Sequence, residues 1–148
     1  MLRTPAPLIG ALERKNMLSA SERAAVENRL AAFLADPGVK LNLVPLARQY
    51  NALPVYSDIG GDLFLTLSGE ILHLNEGDPK GLPTLETDPV WQLIAAVVAS
   101  EKYPELAFLR PQRPLSAKDC LKCEGTGHPM SLGFICGECF GLGWLDTR

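Results

Sequence analysis

The sequence predicts an α+β fold, an antiparallel sheet flanked by helices and followed by a small zinc ribbon of two zinc knuckles. Three observations carry that prediction. A capped amphipathic helix near residue 19 and an apolar helix after residue 88 bracket the middle of the chain. Between them, residues 62–67 and 70–74 read as two strands joined by a tight Ser68-Gly69 turn, a β-hairpin. All four cysteines lie at or beyond residue 120. With 148 residues the chain has room for one ordinary domain of ~100–150 residues plus a small appendage. At 47% hydrophobic and 21% charged residues, it carries enough apolar material for a packed core.

The elements follow in order. Residues 5 to 17 hold Leu8, Ile9 and Leu12 at helical spacing, interrupted by Pro7 and Gly10, which predicts a short helix or an extended arm. Ser19 and Glu22 form an S-x-x-E capping box ahead of Val26, Leu30, Phe33 and Leu34, a stripe along one helix face. Asp36-Pro37-Gly38 stops this helix, and Glu22, Arg23, Glu27 and Arg29 give it a solvated face. The apolar stretch from 41 to 55 is broken by Pro45 and Pro54 and is read as irregular, with Leu43, Val44 and Leu46 adding a strand or covering the core. Residues 62 to 67 and 70 to 74 form the hairpin, and a turn-rich acidic loop runs from 75 to 87. Asp88 then caps a helix with Pro89 in its first turn and a core face of Val90, Trp91, Ile94, Val97 and Val98, ended by Tyr103-Pro104. The two prolines and two arginines of residues 110 to 116 read as a semi-rigid linker, which divides the chain into an α+β domain at 1–110, a linker at 111–117 and a ribbon at 118–148.

Charge and hydropathy exclude some functions. The longest apolar run, residues 93 to 99, has seven residues against the ~20 that a membrane helix needs. The N-terminal segment is a poor secretion signal, and a cytoplasmic protein is expected. The net charge of −3 is unevenly spread. Between residues 58 and 88 stand Asp58, Asp62, Glu70, Glu76, Asp78, Glu86 and Asp88 against a single base, Lys80. No basic stripe exists to neutralise phosphates, so direct nucleic-acid binding is disfavoured. No catalytic constellation stands out. His73 reads as a satisfied strand histidine, Ser57, Ser68 and Ser100 lack a nucleophile-elbow context, and residues 58 to 62 read as a turn entering a strand.

The segment Cys120-Leu121-Lys122-Cys123-Glu124-Gly125-Thr126-Gly127 is repeated at an offset of 16 residues, as Cys136-Gly137-Glu138-Cys139-Phe140-Gly141-Leu142-Gly143. Each C-x-x-C turn points two thiolates at one ion, and two turns complete a tetrahedron with Zn–S bonds near ~2.3 Å. Cys120, Cys123, Cys136 and Cys139 are thus predicted to hold one structural zinc, with a redox or disulfide role for the pairs as the alternative. Four thiolates leave no open coordination site for catalysis. The glycines permit positive φ and close backbone approach after each knuckle. His128, the other nearby ligand type, reads as a loop residue.

These C-x-x-C-x-G-x-G units resemble the cysteine-rich zinc fingers of DnaJ cochaperones over residues 120 to 144. That family usually carries four such units, whereas this chain has two, and His128-Pro129-Met130 is not the His-Pro-Asp of a J-domain. The resemblance implies a scaffold that binds protein segments, for which Phe134, Phe140 and Trp144 offer an apolar surface or, alternatively, the ribbon's own core.

Over residues 19 to 109, the strand entry Asp58-Ile59-Gly60-Gly61-Asp62, the turn Ser68-Gly69-Glu70-Ile71 and the helix holding Trp91 resemble the SUKH superfamily, which includes bacterial toxin-immunity proteins. The resemblance implies an α+β sheet that binds a protein partner, in many relatives a nuclease toxin, with acidic residues mimicking nucleic acid. Asp58, Asp62, Glu70, Glu76, Asp78, Glu86 and Trp144 are the candidate partner-binding residues, the acids pairing with a basic toxin or serving only as a solvated face. The sequence is thus read as a non-enzymatic protein-binding protein carrying a structural zinc ribbon. A DnaJ-like module assisting folding or assembly and a nucleic-acid-associated zinc ribbon are the alternatives.

Overall fold

The structure, a computed structural model, describes residues 18–58, 60–75, 81–128 and 135–146. The helix or arm expected within residues 5 to 17, together with Glu76, Asp78 and Phe134, lies outside the described residues.

Helix α1 (Ala20–Ala35) begins where its capping box predicts: the Ser19 hydroxyl accepts from the Glu22 N–H, and the Glu22 carboxylate accepts from the Ser19 N–H at 2.9 Å. It buries Val26, Leu30 and Phe33. The stretch expected to be irregular is instead a 3₁₀ helix (Gly38–Leu43) running into α2 (Val44–Tyr50). Pro45 does not break α2 because it stands in the first turn, where its missing N–H has no intrahelical partner to lose. Leu43 and Ala47, four residues apart, are both buried. Asn51 closes α2 in the left-handed region at φ 50°, its N–H bonded to the Ala47 carbonyl.

Strand β1 (Ala52–Asp58) was hidden by Pro54. It is tolerated because β1 is an edge of the sheet and the register slips between Pro54 and Tyr56. Strands β2 (Gly61–Thr66) and β3 (Ile71–Asn75) form the expected hairpin, Leu65 opposite Ile71 and Leu63 opposite His73. The two-residue strand β4 (Thr84–Leu85) adds to β3 from within the acidic loop, completing an antiparallel sheet in the order β1-β2-β3-β4. Helix α3 (Pro89–Lys102) is capped by Asp88, whose carboxylate accepts from the Val90 N–H at 2.9 Å, and a 3₁₀ helix (Pro104–Leu109) follows. Strands β5 (Lys118–Asp119) and β6 (Trp144–Leu145) pair to close the ribbon. Among the described residues no single helix is long and apolar enough to cross a membrane.

Two hydrophobic clusters meet at α3. Ala95, Ala96 and Ala99 join the first, with Val26, Leu30, Leu53, Phe64 and Leu106. Val90, Leu93, Ile94, Val97 and Val98 join the second, with the four cysteines, Phe140, Leu142 and Trp144. The stripe that the sequence marks as a core face is therefore the seat of the ribbon, and the alanines beside it face the sheet domain. At ~1.5–3 kcal/mol for each of these five side chains, covering the stripe is worth on the order of 10 kcal/mol at most. That magnitude holds the ribbon against α3, and Tyr56 and Trp91 pack against both clusters.

Candidate metal centre

The sixteen-residue offset of the sequence reappears as local pseudo-symmetry. The Cys120 N–H donates to the Gly143 carbonyl and the Cys136 N–H to the Gly127 carbonyl, both at 2.9 Å, so each knuckle opens on the end of the other. The Gly127 N–H donates to the Cys123 sulfur at 3.1 Å, and the Gly143 N–H to the Cys139 sulfur at 3.2 Å. Glu124 and Phe140, the residues after each C-x-x-C, both take the left-handed region, at φ 55° and 53°.

Gly127 and Gly143 are required by close approach. A Cβ on Gly127 would overlap the Gly141 carbonyl oxygen and lie 2.9 Å from its carbon. One on Gly143 would stand 2.5 Å from the Gly125 carbonyl oxygen. The obstacle is backbone in both cases and cannot rotate away. Gly141 faces α3, where an added Cβ would meet Val97 at 2.9 Å.

This interlock brings the four sulfurs within 4.8 Å of one another, all buried. Cys120 and Cys136 stand 3.7 Å apart, as do Cys123 and Cys139. A disulfide needs ~2.05 Å, whereas a tetrahedron with metal–sulfur bonds of ~2.3 Å has edges of about 3.8 Å. The described cysteines are therefore free thiols arranged to hold one metal ion, and the donor set is compatible with a single zinc. Burial pushes the Cys120 and Cys139 thiols up from their ordinary value. At Cys123 the same burial is outweighed by the Gly127 N–H and the neighbouring cysteine sulfurs, which bring it down to about 7. Several buried thiolates together need a cation among them, and a bound ion supplies that counter-charge.

Sequence reasoning missed the residues that fasten the centre to the rest of the protein. The Arg110 guanidinium donates to the carbonyls of Gly141 and Leu142 at 3.1 and 2.7 Å, so the expected linker starts with a clamp. An arginine between Leu109 and Pro111 gives no local hint of this. The signal that was available lay in residues 93 to 99, an apolar run with no polar face, which must be covered on both sides. His128 is a loop residue, as expected, with its Nε2 2.9 Å from the Glu101 carboxylate on α3, outside the sulfur cluster.

The candidate partner-binding residues do not form one patch. Trp144 is 5% exposed and belongs to the core between the ribbon and α3, so a partner could not reach it; Phe140 is buried there too. Glu86 is also turned inward, its carboxylate 3.1 Å from His73 Nδ1 and accepting from the Asp88 N–H. This pairing satisfies His73. Asp58 caps the β1–β2 turn by accepting from the Gly60 N–H, and Asp62 accepts from the Ser57 hydroxyl. Both acids sit at one end of the β2–β3 hairpin, while Glu70 stands at its turn, about 13 Å away along the strands. Compared with known protein families, curated proteins and solved structures, the chain matches none.

Proposed function

We propose that the protein is a non-enzymatic, protein-binding α+β domain braced by one structural zinc, working in the reducing cytoplasm. The observation that carries this reading is the buried four-sulfur cluster seated on α3. Four thiolates fill a zinc's tetrahedral shell, leaving no position for water or substrate, so the metal acts by folding the ribbon over the apolar stripe. The exposed acid Asp58 and its neighbour Asp62 are then the electrostatic contact for a basic protein partner, in keeping with the SUKH-like strand entry and an immunity role. The DnaJ-like alternative is weakened, because Phe140 and Trp144 are used up in packing on α3.

Elemental analysis of the purified chain tests the first part, and about one zinc per chain, released by chelation together with free thiols, is expected. Affinity capture with the wild type and an Asp58→Lys/Asp62→Lys variant tests the second. A basic protein held only by the wild type, and released by salt, supports the reading; identical capture by both proteins overturns it.

A further inference from the structure

A cleft of about 360 Å³ lies where β1, the 3₁₀ helix after α1, the C-terminal turns of α3 and the ribbon converge. This is the low end of the size of small-molecule sites. Two lysines line it, Lys40 and Lys102, and among the described residues neither has a carboxylate partner. Each is anchored by one neutral acceptor: Lys40 donates to the Ser57 hydroxyl at 2.8 Å and Lys102 to the Val55 carbonyl at 3.1 Å. Each therefore keeps N–H groups for a ligand. Among the described residues the one carboxylate on the wall, Glu101, is held by His128. Tyr56, Val98 and Ile135 supply the apolar surface.

We propose that this cleft binds a small organic monocarboxylate, its oxygens held by Lys40, Lys102 and the Tyr56 hydroxyl and its apolar body resting on Val98 and Ile135. The assignment is independent of the protein-binding reading. Partial burial, and then the Lys40 charge, lower the Lys102 pKa, so two like charges face one cleft and an anion between them relieves their repulsion. Burial, and then Asp58, raise that of Tyr56, which keeps its hydroxyl a donor. Glu101 on the wall, Asp62 behind Ser57 and Asp58 near Tyr56 offset the charge of the two lysines, which disfavours a phosphate dianion more than a monoanion.

The test is an amide-shift NMR titration of the full metal-loaded chain with hexanoate and benzoate as probes, hexanamide as the neutral control and inorganic phosphate as the competing anion. Saturable binding of a carboxylate at or below about 1 mM is expected, with hexanamide and phosphate at least tenfold weaker. Lys40→Met and Lys102→Met should each weaken it about tenfold, and Arg48→Met, outside the cleft, should leave it unchanged. Tyr56→Phe removes only a hydroxyl and should weaken it about threefold, which keeps the test open should a lysine variant fail to fold. Absence of saturable binding, equal binding of hexanamide, preference for phosphate, or carboxylate affinity unchanged in the variants overturns the proposal.

Discussion

Replacing Gly127 with alanine should cripple the metal centre although Gly127 supplies no ligand atom. The residue sits at φ 80°, where an L side chain costs ~1–2 kcal/mol. Its new methyl would overlap the Gly141 carbonyl, with the carbonyl carbon at 2.9 Å and the Cα at 3.2 Å, so one knuckle must back away from the other. That retreat strains the Cys136 N–H bond to the Gly127 carbonyl and the Gly127 N–H bond to the Cys123 sulfur, each worth ~1 kcal/mol. The sum, about 3–4 kcal/mol, corresponds to a roughly 100- to 1,000-fold loss of metal affinity, because binding and ribbon folding are one equilibrium. Competition with a chromophoric chelator measures it. Gly137→Ala is the matched control: its Cβ meets nothing within 4 Å, and the equivalent position of the other knuckle is Leu121, so a change within ~0.5 kcal/mol is expected. Equal metal affinity for the two variants would refute the argument that missing Cβ atoms let the knuckles interlock.

Further expectations concern how the ribbon, the helix and the sheet support one another. Removing the metal should uncover the Val90–Val98 stripe of α3 and lower the stability of the α+β domain as well, seen as loss of amide-exchange protection in α3 and the hairpin; unchanged protection would mean the ribbon is energetically separate. Arg110→Met deletes two charge-assisted bonds to the Gly141 and Leu142 carbonyls and should cost about 2–4 kcal/mol in urea unfolding of the metal-loaded protein, whereas a cost below ~0.5 kcal/mol would show that apolar packing alone seats the ribbon. Ser19→Ala removes the α1 cap and should cost about 1 kcal/mol with metal content unchanged, as elemental analysis of the folded variant would verify.

Where the chemistry is local, the sequence determined the outcome by itself. Ser19 with Glu22 and Asp88 with Pro89 fixed two helix starts, because a cap bonds to backbone only two or three residues away. Two strand-like runs either side of Ser68-Gly69 gave away the hairpin, and the doubled C-x-x-C-x-G-x-G marked the four cysteines that cluster, since spacing alone aims paired thiolates at one point. Pro45 and Pro54 misled because a proline's meaning depends on its position: harmless in a first helical turn or on a bulged edge strand, it is disruptive elsewhere, and only the assembled sheet says which strand is the edge.

Other features were decided by tertiary structure alone. The sequence leaves Trp144 open between a binding surface and the ribbon's core and places Glu86 on an acidic face, whereas one is enclosed by α3 and the other is claimed by His73. The acidic run of the middle segment is split because the hairpin carries Glu70 to the opposite end from Asp58 and Asp62. The Arg110 clamp and the Lys40–Lys102 cleft join residues 31 and 62 positions or more apart in the chain. Contacts of that kind leave no periodicity or spacing to read, because they exist only once the ribbon has closed over the helix that both cores share.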